Sequence, residues 1–193
     1  MIQSFANKPT ETLWLGRRPP EFPPSIHKTA LRKLTQLEAS STLNESRLPP
    51  GNRLEAIKGD RAGRHSIRET TNIASASVGT AKMPTTSKSP IITKPMKKFI
   101  NVHPGELLRE EFLGPMRITP YRLAKDAKLP HQRVNEIVNE KRGITAETDL
   151  HLCAYFGQTP GYWLRVQLAY DLSEAINTIG SKIKATIHPL QAA

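Results

Sequence analysis

Hydrogen-bonding side chains crowd the stretch YRLAKDAKLPHQRVNEIVNEKR at 121–142. His131, Gln132, Arg133 and Asn135 carry the donors and acceptors that read base edges. Gln pairs bidentately with adenine and Arg with guanine. Arg122, Lys125, Lys141 and Arg142 are cations suited to phosphate, where they set register and salt dependence. The chemistry on offer is recognition of duplex DNA. A second set, Lys58, Arg61, Arg64 and His65, is a basic cluster suited to RNA phosphate, with His65 able in principle to shuttle protons. His151 and Cys153 lie two apart on a predicted helix and so point in different directions, which argues against a metal pair. Cys153 sits in an apolar helix and reads as packed rather than reactive. No metal or cofactor is expected.

Positioning the first set requires a helix-turn-helix, and Ala124, Lys128, Val134 and Ile137 have its spacing. A small residue lets two helices cross closely, a tight turn follows, and two apolar residues seat the second helix with its outer face polar. Lys128 stands at the turn position where positive φ is needed. Glycine would be cheaper there by on the order of 1 kcal/mol.

Helical signals recur from Met96 onward. Pro104, preceded by His103 as a helix-opening residue, begins a helix with Leu107, Leu108 and Phe112, and Gly114-Pro115 should end it. Thr119-Pro120 is a cap plus first-turn proline for the helix carrying Leu123 and Ala124. Pro130 begins the recognition helix, which runs to about Asn139. Thr145 caps a fourth helix that stops at Gly157. Thr159-Pro160 repeats the cap-plus-proline device for a fifth, bearing Trp163, Leu164, Leu168 and Leu172. Among these, Trp163, Leu164, Leu168 and Tyr170 suit either a dimer seam or a core. Five short helices and no convincing strand make residues 96–193 all-α.

Two other regions precede it. Residues 1–68 have an apolar pattern of their own: Ser25 as a cap, a helix with Ile26, Ala30, Leu31, Leu34 and Leu37 on one face, a Pro49-Pro50-Gly51 loop, and strand-like pieces around 54–57 and 65–67. Residues 69–95 hold six Thr, four Ser and three Pro, no aromatic residue, and no acid after Glu69. Such a stretch buries too little apolar surface to offset its ordering entropy and reads as a disordered linker.

The 193 residues carry a formal charge of +11 and are 37% hydrophobic, which favours a polyanionic partner and disfavours one core spanning the chain. Residues 1–95 hold 15 Lys and Arg against 7 Asp and Glu, and residues 96–193 hold 13 against 10, so the helix-turn-helix half is the less basic one. One cysteine excludes an internal disulfide and suits a reducing compartment. With no secretory signal and no apolar run long enough for a bilayer, a soluble cytoplasmic protein is expected.

The segment from Val102 to about Ala175 resembles the HigA antitoxins of the Cro/C1-type helix-turn-helix class (XRE family). HPGELLREEFL at 103–113, the run at 121–145 and YFGQTPGYWLRVQLAYDL at 155–172 carry the resemblance. It implies a homodimer that binds double-stranded operator DNA, represses its own operon and neutralises a HigB-type toxin. Residues 1–68 resemble the HigB toxins, ribosome-dependent messenger-RNA endonucleases, through MIQSFANKPTETLWLG, PSIHKTALRKLTQLEAS and PPGNRLEAIKGDRAGRHSIR. That resemblance stops at Arg68, short of the further strands and Asp-Tyr-His-like end that such toxins have. Residual endonuclease activity from residues 1–68 is therefore the alternative reading, and a binder without catalytic residues the preferred one. Reading residues 69–94 one base out of frame permits RNDQYRICFRWNGQDAYDVEIADYH and then a stop, just before Met96. That string resembles the missing end. The expectation is a mainly α chain: a five-helix Cro/C1-type bundle at 96–193, preceded by an incomplete α+β toxin-like fragment at 1–68 and an out-of-frame linker at 69–95.

Overall fold

The structure, a computed structural model, describes residues 2, 5, 7–56, 65, 66 and 102–188. Lys58, Arg61, Arg64 and the linker at 69–95 lie outside the described residues, as does the side chain of His65.

Helix α1 (Lys8–Trp14) opens on Asn7, whose side chain accepts from the Thr10 amide at 2.9 Å. Helix α2 (Pro24–Ala39) begins with proline at its first turn. Pro24 rather than Ser25 therefore sets its start, since a residue without an N–H belongs where helical donors have no partner. Ile26, Leu31 and Leu34 are buried along one face, as the periodicity predicts. The chain then makes two short 3₁₀ turns, Leu43–Arg47 and Pro50–Asn52. Strands β1 (Glu55–Ala56) and β2 (His65–Ser66) pair antiparallel, where the two strand-like pieces were expected.

The carboxy-terminal part is a helical bundle. Helix α3 (Pro104–Leu107) opens on His103, whose Nδ1 accepts from the Gly105 amide at 3.0 Å. It passes into a π-helical segment, Leu108–Leu113, and then α4 (Gly114–Met116). Gly114-Pro115 thus does not end the helix. The Gly114 amide bonds back to Arg109, five residues earlier, and this widened turn makes room for the proline ring. The stop comes at Arg117, left-handed at φ 53. Next come α5 (Pro120–Asp126), α6 (His131–Val138) and α7 (Ala146–Phe156), the last capped by Thr145 and closed by left-handed Gly157, as expected.

The final helix differs from expectation in start and length. Helix α8 (Tyr162–Thr186) has 25 residues and opens on Gly161, not on Thr159-Pro160. Its cap is distant in sequence. The carboxylate of Asp149, buried on α7, accepts from the Gly161 amide at 2.6 Å, Trp163 at 2.8 Å and Leu164 at 3.1 Å. A charged acceptor satisfies these free first-turn donors better than a hydroxyl does, so it decides where the helix starts.

Phe112 centres the core, with its ring 4.9 Å from that of Trp163 and 5.0 Å from that of Phe156. Trp163 is fully buried, which places it in the core rather than on a seam. Tyr162, also fully buried, lies against the same cluster. Leu13, Leu31 and Ala39 of the amino-terminal lobe join this core, so the lobe and the bundle share one apolar interior.

Candidate nucleic-acid interface

Thr119 accepts from the Arg122 amide at 3.2 Å and Pro120 occupies the first turn, so α5 starts where its sequence predicts. Leu123 and Ala124 face inward, 0% and 3% exposed. The turn out of α5 returns the Leu129 amide to the Ala124 carbonyl at 2.9 Å and holds Lys128 at φ 55, the left-handed geometry expected there. His151 stabilises it from α7, its Nδ1 donating to the Ala127 carbonyl at 2.7 Å. No local pattern marks this histidine for that contact.

Helix α6 then sits with Val134 and Ile137 each 1% exposed against the bundle. Its carboxyl end is tied down by Arg109, which donates to the Val138 carbonyl at 2.6 Å and to Glu140 at 3.0 Å. Nothing local in the sequence signals either contact. The outward side carries His131, Gln132 and Asn135, all exposed, along an open groove of about 340 Å³ that Glu136, Asn139 and Lys141 complete. Tyr121, 66% exposed on α5, lays its ring edge-on to His131 at 5.6 Å and extends this surface toward the first helix.

Several candidate side chains are already engaged. Arg133 is half-buried and turns to Glu147 on α7 at 3.0 Å, away from the groove. Gln132 donates to Glu136 at 3.0 Å, and Arg142 meets the same carboxylate at 2.5 Å. Arg142, then Gln132, hold the Glu136 carboxyl below its ordinary range. Arg122 pairs with Asp126 one turn on at 3.3 Å. Lys125 and Lys128 make no ion pair among the described residues. Water screens these surface pairs, so a phosphate competes for the same cations at small cost.

Burial pushes the Cys153 thiol up to about 11, with Asp149 adding to the effect. Its Sγ donates to the Thr159 carbonyl at 3.2 Å, so the thiol is packed and protonated.

A short helix seated by two apolar residues across a positive-φ turn, with a polar outer side backed by lysines, defines a helix-turn-helix DNA-binding protein. Its relatives narrow the class. The chain is 53% identical over 74 residues to virulence-associated protein I of Dichelobacter nodosus, covering 38% of this chain and 68% of that protein. It is 36% identical over 80 residues to antitoxin HigA-1 of Vibrio cholerae, covering 42% of this chain and 75% of that one. Among solved structures, the Pseudomonas aeruginosa antitoxin HigA with higBA promoter is 39% identical with a TM-score of 0.46, over 48% of this chain and all of that one. The chain belongs to the HigA antitoxin family of helix-turn-helix regulators. Residues 4–74 match the HigB-like toxin family, RelE-like toxins of type II toxin–antitoxin systems, so a toxin-like segment precedes the antitoxin.

Proposed function

We propose that the chain binds a palindromic operator as a homodimer, represses its own operon by occupancy, and presents an antitoxin surface to a HigB-type toxin. The observation that carries this reading is the division of α6 into a fully buried apolar side and an open polar one. Gln132, Asn135 and His131 contact base edges in the major groove, and Lys125, Lys141 and Arg142 contact phosphate. Arg133 joins the base readers by exchanging Glu147 for guanine.

One recognition helix covers too little DNA for useful affinity, so paired half-sites are needed. The second copy has a surface to meet. Leu168, Leu172, Ile179 and Ile183 recur on one side of α8 and are 43–58% exposed, with Ile176 between them. Apolar side chains repeating at three- and four-residue spacing along a long helix suit pairing with a second such helix. Repression needs no chemistry. No helix among the described residues is long and apolar enough to cross a membrane, and the cytoplasm, where operator DNA lies, is the compartment this reading requires. The test is a mobility shift on the DNA upstream of the chain's own gene. A shift no stronger than on unrelated DNA at physiological salt refutes the reading.

The match of residues 4–74 to a toxin family supports a second reading, messenger-RNA cleavage by the amino-terminal segment. Arrest of translation on expression of the chain alone is its signature. The domain reading, a toxin fragment at 1–68 joined by an out-of-frame linker at 69–95 to the antitoxin at 96–193, is tested by the gene sequence from Arg68 to Met96. Codons unable to spell RNDQYRICFRWNGQDAYDVEIADYH rule out the frameshift.

A further inference from the structure

Glu106 and Glu111 are carboxylates of the bundle, each 4% exposed, and among the described residues all their ion pairs come from outside it. Glu111 meets Arg32 at 2.8 Å and Lys33 at 2.5 Å, and Glu106 meets Arg32 at 3.1 Å and Lys28 at 3.3 Å. All three cations belong to α2 of the amino-terminal lobe. The complementarity is directional, since the lobe brings the cations and the bundle the acids. Lys33 is 2% exposed, and its ammonium also donates to Asn52 at 2.6 Å. A lysine this deep is tolerated only when a carboxylate and further acceptors meet it, so this lobe is built for an acidic seat.

Two contacts at the far end fix its orientation. Glu45 accepts from the amide and hydroxyl of Thr159, in the turn between α7 and α8. Arg165 of α8 donates to the Ala39 carbonyl at 2.5 Å, at the end of α2 where helical carbonyls lack partners. Between these polar clamps Leu13, Leu31 and Ala39 complete the bundle's core.

We propose that the surface formed by α3, the π segment and the start of α8 is a protein-docking seat held by this chain's own α1–α2 lobe, which excludes a separate HigB-like toxin. The inference rests on the antitoxin reading above and names the occupant of its toxin-facing surface. The chain is then a repressor whose partner is already bound in cis. A free toxin reaches the seat only by displacing three cations together with the apolar contacts between the clamps.

The test uses the full chain with a protease site inserted between Arg68 and Met96. After cutting, the two pieces should leave gel filtration together. Cut and fluorescently labelled parent is then mixed with uncut, unlabelled chains. Uncut parent should take up no labelled amino-terminal piece. Uncut Arg32→Ala, with its acids intact and its own lobe loosened, should take it up at least about tenfold more. Thr159→Ala, a mild change on the bundle side, should speed release of the piece from cut protein. Separation of the parent's pieces on cutting, or equal uptake by parent and Arg32→Ala, overturns the proposal. None of these readings involves DNA, so loss of the operator shift would refute the repressor function and leave this inference standing.

Discussion

The backbone of α3 touches the end of the recognition helix at Gly105, where an added Cβ would lie 1.7 Å from the Ile137 carbonyl oxygen. No side-chain rotation relieves such an overlap, because the backbone fixes where the Cβ lies and the oxygen it meets is itself backbone. Gly105→Ala should therefore cost more than the ~1–3 kcal/mol of ordinary overpacking and lower the melting temperature by more than about 5 °C (roughly 2–4 °C per kcal/mol at this size). Calorimetry of the full chain measures it. A melting point within a degree of the parent's would show that α3 and α6 do not meet in this way.

Base reading and phosphate contact separate by salt. Gln132→Ala should lose ~1–3 kcal/mol on operator and little on random DNA. Arg133→Ala should relax base preference, whereas Arg142→Ala should weaken both DNAs alike and flatten the salt slope by about one. Titrations of labelled duplex at several salt concentrations give both quantities.

Glu136 places a negative charge inside the groove and holds both Gln132 and Arg142. Glu136→Gln should release them and raise affinity for any duplex severalfold by removing a negative charge that faces the phosphates. Unchanged affinity for operator and random duplex alike would mean that this carboxylate does not face the DNA.

The exposed stripe of α8 should be the dimer contact. Leu172→Asp with Ile179→Asp should give a folded monomer by sedimentation, with circular dichroism like the parent's and operator affinity reduced at least about a hundredfold. A parent that sediments as a monomer at micromolar concentration would remove this surface from the account.

Acid should loosen the lobe. Burial would raise the Glu45 carboxyl, but the Thr159 hydroxyl and the amides of Ser41, Thr159 and Thr42 outweigh it and hold the carboxyl below its ordinary 4.5. A lowered folded-state value means that the stabilisation is complete above pH 4.5 and fades as pH falls through the lower, docked value. Amide exchange in α2 should accelerate over that acid window in the parent and be less pH-dependent in Glu45→Gln.

What the sequence made legible was local. Thr119-Pro120, small Ala124 and the Val134–Ile137 pair act within a turn or two, and α5, the turn and α6 formed as they require. Misreadings arose where a distant group overrode a near one. The Thr159-Pro160 signal lost to Asp149, whose buried carboxylate caps α8 from the neighbouring helix. Gly114-Pro115 failed to stop its helix because the π segment ahead of it absorbed the ring. Arg133 turns to Glu147, fourteen positions away, a pairing that no local pattern signals. The seating of α2 on the bundle joins residues 74–126 positions apart and leaves no local pattern.

Joining Glu45 and Thr159 in one polypeptide makes their encounter unimolecular. Two separate chains meeting through the same atoms would part on dilution, while a tethered pair feels an effective concentration on the order of millimolar however little protein the cell makes. Such a molecule cannot gauge a toxin-to-antitoxin ratio through this contact, because every copy is synthesised with its stoichiometry already fixed at one to one.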